Sequence, residues 1–140
     1  MKNTIKKIYA AVAAAVVTAA CNAEVSTATV PSKSKYASGP TECVAYARRF
    51  ASFPTGMWTF ADKKSMINTG TPKAGRVAVM NMGAVGHVGV VVDVDDTGKA
   101  KHIVIAEANN PIGNGAQFRK ATCSKIDDCE KSLHILGYHK

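Results

Sequence analysis

Residues 39–50 read GPTECVAYARRF, a Gly-Pro turn followed by an apolar segment with a cysteine near its start. Its alanines favour helix, Pro40 suits a first turn and Pro54 would end it, so the pattern predicts a helix of about ten residues. Cys43 then lies at the helix start, where the helix dipole lowers the pKa of a thiol and favours the reactive thiolate. The alternative is a small buried core residue, because most free cysteines are buried and unreactive.

A cysteine nucleophile needs an imidazole to move protons and a third group to orient that imidazole. Downstream of Cys43 the chain offers His87, then Glu107 and Asn109. They lie in segments whose alternation is typical of β-strands. The predicted strands cover 76–80, 86–94, 102–108 and 133–139, and the short turns between them indicate an antiparallel sheet. The candidate catalytic residues are therefore Cys43, His87, Glu107 and Asn109.

Strand parity predicts that these side chains meet. His87 shares a face with Gly89, and Glu107 shares a face with Asn109. If their strands pair as a hairpin, the start of one lies beside the end of the other, and His87 comes within reach of Glu107 or Asn109. Gly89 would leave room for the Cys43 helix to pack closely.

The other polar residues of these strands are expected to be structural. His102 falls on the face opposite Glu107 and is predicted to lie at the strand surface. Asp93, Asp95 and Asp96 lack the glycine and distal glutamate of a calcium loop, which favours a solvated turn.

The N-terminus has the pattern of an export signal. A basic start over 1–7 precedes an alanine-rich apolar stretch over 8–20 that is too short to span a bilayer comfortably. The pattern predicts a signal peptide over 1–23, with two endings left open: ordinary cleavage, or a lipoprotein box that would leave Cys21 lipidated. The expected location is outside the cytoplasm, as a periplasmic, outer-membrane lipoprotein or secreted protein.

After the leader, residues 24–38 are rich in Ser, Thr and Lys, which predicts a linker, and the domain proper would cover 39–140. The 140-residue chain has 18 basic and 10 acidic residues, a formal charge of +8, and losing the three leader lysines would leave +5. This charge suits an anionic surface such as cell wall. The charges are scattered and there is one Trp, so nucleic-acid binding is not expected.

The four cysteines are predicted to have separate roles. Cys21 belongs to the leader and Cys43 to the helix start, and Cys123 and Cys129 lie in a loop-like polar segment, where a local disulfide suits an oxidising compartment. A zinc site that adds His134 and His139 is disfavoured by the wide cysteine spacing and the five-residue offset of the histidines. A bridge from Cys43 to another cysteine remains an alternative.

Four motifs in this order resemble the CHAP family, the cysteine- and histidine-dependent amidohydrolases and peptidases of bacterial cell-wall metabolism. CVAY at 43–46 resembles the family's nucleophile helix, PKAG at 72–75 the opening of its Pro-x-x-Gly-Asp strand, GHVGVV at 86–91 its Gly-His strand and EAN at 107–109 its Glu-x-Asn motif. Two residues depart from the pattern. Glu42 stands where the family often has Gln, and Arg76 stands where it usually has Asp.

The resemblance implies an α+β fold, a papain-like CHAP domain with an N-terminal nucleophile helix packed on an antiparallel β-sheet. It implies Cys43 as nucleophile, His87 as base and acid, Glu107 as the orienting group and Asn109 as polar support, with no cofactor or metal. The carboxylate of Glu42 would repel a developing oxyanion.

The predicted function is that of an exported cysteine amidase or endopeptidase that hydrolyses an amide bond of peptidoglycan through a Cys43 thioester. The alternative is a non-catalytic exported lipoprotein, or a wall- or partner-binding module on the same fold, since a fold does not establish activity. Peptidoglycan is the expected partner, and a membrane would be a second partner if Cys21 is lipidated. An inhibitor or immunity protein is a further alternative partner.

Overall fold

The computed structural model describes residues 17–20 and 23–140, which form one antiparallel sheet and three short helices. The strands are β1 Val17–Ala20, β2 Ala23–Thr29, β3 Val77–Met80, β4 His87–Asp95, β5 Lys101–Glu107, β6 Gln117–Cys123 and β7 Ile135–His139. The helices are α1 Cys43–Arg48, α2 Phe60–Ser65 and α3 Ile126–Ser132. The order across the sheet is β1-β2-β6-β5-β4-β3-β7. The predicted α+β class is confirmed.

The two faces of the sheet are covered by different helices. Val77 and Val79 of β3 pack with α1, as do Val88 and Val90 of β4. The alternate β3 residues, Ala78 and Met80, belong to a cluster with Cys129 and other residues of the α3 region. Because successive strand residues point to opposite faces, α1 and α3 lie on opposite sides of the sheet.

Helix α1 is shorter than predicted, because it ends at Arg48 instead of continuing towards Pro54. The amides of Arg49 and Phe50 donate to carbonyls three residues back, which tightens the last turn and stops the helix. Tyr46 anchors α1 by donating its hydroxyl to the carbonyl of Tyr36 at 2.7 Å. The sequence pattern therefore located this helix correctly but not its end.

The linker predicted over 24–38 is wrong for its first half. Residues 23–29 form β2, which pairs with β6 over seven positions, and Val25 and Ala28 are buried there. The polarity of this segment comes from alternate residues, of which Glu24 is exposed. The domain therefore begins before residue 39.

The sequence suggested a loop around the last two cysteines, but this segment is a strand followed by a helix. Residues 117–123 form β6, and residues 126–132 form α3. The predicted disulfide between Cys123 and Cys129 is confirmed and ties the end of β6 to α3. This bridge uses both cysteines of the alternative zinc site, and no cluster of described His, Cys, Asp or Glu residues could hold a metal ion.

His102 and Asp93 are buried as a pair, contrary to the prediction of a surface histidine and a solvated turn. His102 Nε2 lies 2.7 Å from Asp93 Oδ2, and both side chains are almost fully buried. The pairing of β4 with β5 shifts register between Val91 and Asp93. Such a bulge changes strand parity, so Asp93 no longer faces the same way as His87.

The predicted signal peptide lies largely outside the described residues, as does Cys21. Within it, Val17–Ala20 form β1, which pairs with β2 at the edge of the sheet. In the described parts of the chain, no helix has the length and apolar character needed to cross a bilayer.

Candidate active site

His87 and Glu107 are hydrogen bonded inside the sheet, as strand parity predicted. His87 begins β4 and Glu107 ends the neighbouring strand β5. The antiparallel register places Val90 opposite Ala106, so the start of β4 lies beside the end of β5. His87 Nε2 and Glu107 Oε1 are 3.2 Å apart.

Glu107 is fully buried and remains ionised because several donors surround it. Arg119 donates from both Nη2, at 3.0 Å, and Nε, at 3.2 Å, while Asn110 and Gln117 donate to Oε2. Burial alone would raise the pKa of Glu107, but the hydrogen bond from His87 and the charge of Arg119 outweigh it and lower that pKa to about 2. Glu107 is therefore a fixed negative charge beside the imidazole.

This arrangement fixes the tautomer of His87. An ionised carboxylate only accepts hydrogen bonds, so the neutral imidazole must carry its proton on Nε2. The lone pair is then on Nδ1, which becomes the atom that can take a proton from a nucleophile. Glu107 orients the ring in the way that a catalytic base requires.

Cys43 is the first residue of α1, and its sulfur reaches β4 at the residue after His87. The backbone N–H of Val88 is directed at the sulfur and favours its thiolate. The side chain is buried, and its thiol donates to Glu42 Oε1 at 3.3 Å. No bridge to another described cysteine is present. The thiol thus lies beside the histidine strand but is hydrogen bonded to Glu42.

The pKa of Cys43 moves opposite to the sequence-based expectation. Burial raises this pKa to about 11, the charge and hydrogen bond of Glu42 add to the effect, and the amide of Val88 opposes it. Burial is the main reason that the predicted lowering of this pKa by the helix start does not occur, and the Glu42 carboxylate at that position adds to the increase. In this arrangement the sulfur is a thiol.

Glu42 is the N-cap of α1. Oε1 accepts from the amide of Val44 at 2.9 Å and Oε2 from the amide of Ala45 at 2.7 Å. Burial would raise the pKa of Glu42, but these two amides outweigh it and lower that pKa. Its negative charge is therefore held at the helix start, next to the nucleophile.

The structure does not bring Asn109 to the histidine. Asn109 is left-handed, with φ 67°, and its Oδ1 accepts from the amide of Gly113 at 2.7 Å. The next residue, Asn110, donates to Glu107 Oε2 at 2.8 Å instead. The left-handed turn breaks the strand parity on which the prediction for Asn109 depended.

Arg119 and Gln117 were missed because β6 was not recognised. They alternate along β6 and so share one face, the face that carries Glu107. The run QFRKATC contains a polar-apolar alternation that could have identified this strand. The two residues supply charge and hydrogen bonds to the acid behind the histidine.

Gly89 has a different role from the one predicted. A Cβ there would lie 3.3 Å from the Cβ of Glu107 and 3.4 Å from Met80. The space it leaves therefore serves the neighbouring Glu107, while α1 packs on the opposite face.

Helix α2 holds the loop that leads to His87. Lys63 is buried and donates Nζ to the carbonyls of Trp58 at 3.1 Å and Val85 at 2.9 Å. Gly86 has φ 68°, and Phe60 packs so closely against it that a Cβ would clash at 2.6 Å. These contacts fix the backbone immediately before the catalytic candidate.

A cavity of about 160 Å³ lies beside α1. Its lining residues come from α1 with its cap and from the loop that follows: Glu42, Val44, Ala45, Arg48, Thr55, Gly56, Met57 and Trp58. Trp58 is 70% exposed at its edge. The cavity offers space for a ligand beside the start of α1.

Comparison with known proteins gives one match. The family model described as CHAP domain matches residues 32–109, which include Cys43, His87 and Glu107. A search of curated proteins and a search of solved structures each gave no match.

Proposed function

Because the chain belongs to the CHAP domain family, whose members are generally amidases or peptidases, we propose that it is an exported cysteine hydrolase of peptidoglycan. The single observation that carries this proposal is the buried His87–Glu107 pair, held by Arg119 at the point where Cys43 reaches β4. The structure also has a buried structural pair, His102–Asp93, in which Asp93 Oδ1 has no hydrogen-bond partner, whereas the carboxylate behind His87 is held by Arg119, Asn110 and Gln117. The helix-on-sheet packing of α1 supports the papain-like arrangement expected for such enzymes.

The proposed reaction starts with proton transfer from Cys43 Sγ to His87 Nδ1. Cys43 packs with Val88 on the α1 face of the sheet, whereas His87 pairs with Met80 at the start of β4 and lies on the other face. The thiol must therefore leave its Glu42 acceptor and come within reach of the imidazole before this step. The thiolate then attacks the amide carbonyl, the C–N bond breaks, and the imidazolium returns the proton to the leaving amine. Water next attacks the thioester and loses its proton to His87, the C–S bond breaks to release the acid, and the imidazolium returns the proton to the Cys43 thiolate. Glu107 stabilises the imidazolium in both steps.

The oxyanion would form at the start of α1. The amides of Val44 and Ala45 bond to the Glu42 side chain, and that of Tyr46 bonds to its carbonyl. This leaves the amide of Cys43 as the proposed donor to the oxyanion. The nearby charge of Glu42 opposes oxyanion formation, which predicts a slow enzyme unless substrate displaces this side chain.

Export is proposed from the leader pattern over 1–23, with lipidation of Cys21 as the open variant. The Cys123–Cys129 disulfide supports a compartment outside the cytoplasm, because disulfides persist mainly in oxidising surroundings. Peptidoglycan is the polymer that a wall hydrolase would meet there.

Loss of turbidity of purified cell walls tests the enzyme proposal. The protein without its leader should clear the suspension, whereas Cys43→Ala and His87→Ala should not. Clearing by Cys43→Ala at the native rate would reject the proposed nucleophile. Arg49→Gln is a matched surface control that should clear walls normally.

The second candidate is a non-catalytic wall- or partner-binding module. The observation in its favour is the hydrogen bond from the Cys43 thiol to Glu42, which keeps the sulfur protonated. This candidate predicts wall binding without clearing, unchanged in Cys43→Ala and His87→Ala. Co-sedimentation with walls measures that binding directly.

A further inference from the structure

The cavity beside α1 is lined by one cation, one acid, Glu42, and mostly apolar surface. Arg48 supplies the cation, and Val44, Ala45 and Met57 are among the apolar lining residues. We propose that this cavity is a substrate subsite that binds a free carboxylate of a stem peptide through Arg48. The inference rests on the proposed function and adds to it the class of substrate that the site selects.

The position of the cavity relates it to the reaction. Glu42 and Val44 line it, and these residues flank Cys43 in the chain. Arg48 lies five residues beyond Cys43 on the same helix, which is a rise of about 7.5 Å along the axis. An extended peptide advances ~3.3 Å per residue, so a carboxylate at Arg48 would lie about two residues from the scissile amide.

The guanidinium of Arg48 is held in place without being neutralised. Its Nε donates to the carbonyl of Phe53 at 2.9 Å, which restrains the side chain. Among the described residues, no carboxylate forms a salt bridge with Arg48. The nearby acid, Glu42, directs both oxygens to the first amides of α1. A positive charge therefore remains at the cavity, where the planar guanidinium of Arg48 can bind a carboxylate through two hydrogen bonds.

The size of the cavity suits one small side chain of a peptide. Its volume is about 160 Å³, and an apolar cavity of ~150 Å³ in another protein binds a molecule as small as benzene. One small alkyl side chain fits such a space. A residue with a small alkyl side chain next to an acidic residue matches both the apolar walls and Arg48.

Equilibrium binding to the Cys43→Ala protein tests the subsite without requiring turnover. The probes are two stem peptides that are identical except that an acidic residue carries a free α-carboxylate in one and a carboxamide in the other. The carboxylate peptide should bind roughly tenfold more tightly, as a charge-assisted pair would give. Adding Arg48→Gln should abolish this preference. Adding Arg48→Lys should retain part of it, because lysine keeps the positive charge but lacks the planar guanidinium that forms two parallel hydrogen bonds.

Arg49→Gln is the matched control, because Arg49 is the adjacent exposed arginine and does not line the cavity. It should keep the full preference for the carboxylate peptide. Equal affinity of the two peptides, or equal losses in the Arg48 and Arg49 variants, would overturn the subsite. If the preference holds while the Cys43 protein never cleaves either peptide, the subsite stands and the proposed hydrolase function fails.

Discussion

At the scale of single residues, Glu42 helps to keep Cys43 in its thiol form. It caps α1, accepts the thiol hydrogen bond of Cys43 and contributes to the raised pKa of that thiol. The sequence identified Glu42 as a departure from the family pattern. It could not show that this carboxylate would bond to the thiol itself, because that depends on the rotamer taken at the helix cap.

We therefore expect Glu42→Gln to make Cys43 more reactive. Removing the charge should lower the pKa of the thiol, and one unit of lowering raises the thiolate fraction roughly tenfold at neutral pH. The rate of iodoacetamide alkylation as a function of pH measures this. Asp62→Asn, which removes the acid of the capping box of α2, is the control and should leave the rate unchanged. An alkylation profile of Glu42→Gln identical to that of the native protein would contradict the assigned role.

Glu107 should make stability depend on pH in the acid range. The pKa of Glu107 in the folded protein is about 2, below the ordinary value of 4.5. Its contribution to the free energy of unfolding is therefore complete above about pH 4.5. The contribution is lost progressively as the pH falls towards 2. Urea unfolding between pH 5.5 and pH 2.5 should show this loss.

The Glu107→Gln variant is the comparison for that measurement. It should be less stable at pH 5.5 by about 3 kcal/mol or more, because Arg119 is left buried without its carboxylate. It should also lose less stability than the native protein as the pH falls. Parallel pH dependence in the two proteins would show that Glu107 is not the titrating group.

At the scale of elements, local patterns predicted strands well and their irregularities poorly. The prediction placed each end of β3, β4, β5 and β7 within two residues of its observed position. Two of these strands, β4 and β5, carry the His87–Glu107 pair. The bulge in β4 and the left-handed turn after β5 were not visible, because each depends on pairing with a neighbouring strand. Those two irregularities explain why the observed positions of Asp93 and Asn109 differ from the expected ones.

The bulge creates a buried pair whose loss should weaken the fold. Asp93→Ala removes the partner of His102 and should lower the free energy of unfolding by about 3 kcal/mol. Asp96→Ala is the matched control, because Asp96 pairs with Lys101 at the exposed turn, where a salt bridge is worth about 1 kcal/mol or less. Chemical denaturation measures both. A cost for Asp93→Ala as small as that of Asp96→Ala would contradict the pairing.

At the scale of the whole molecule, long-range pairing was the part that sequence patterns could not supply. Strand β2 pairs with β6 across about ninety residues of chain, and its small and hydroxylated residues resemble those of a linker. Only the partner strand reveals that Val25 and Ala28 are buried. The β4–β5 hairpin that carries His87 and Glu107 is local in sequence, which is why their contact could be predicted.

Truncation tests the extent of the domain. A chain that starts at Ala23 keeps β2 and should fold, whereas a chain that starts at Val30 loses β2 and exposes the edge of β6. The loss of one buried valine alone costs roughly 1.5–3 kcal/mol, and an open strand edge promotes association. Thermal unfolding and size-exclusion chromatography compare the two chains. Equal stability in both would restore the linker interpretation.

The most direct test of the central claim, that Cys43 with His87 and Glu107 cleaves an amide of peptidoglycan, is mass spectrometry of muropeptides released from purified wall. The native protein should release fragments that have gained one water at a single type of amide bond, leaving a new amine and a new carboxylate. The Cys43→Ala protein should release none. Release of the same fragments by Cys43→Ala, or fragments cut only at glycosidic bonds, would contradict the account.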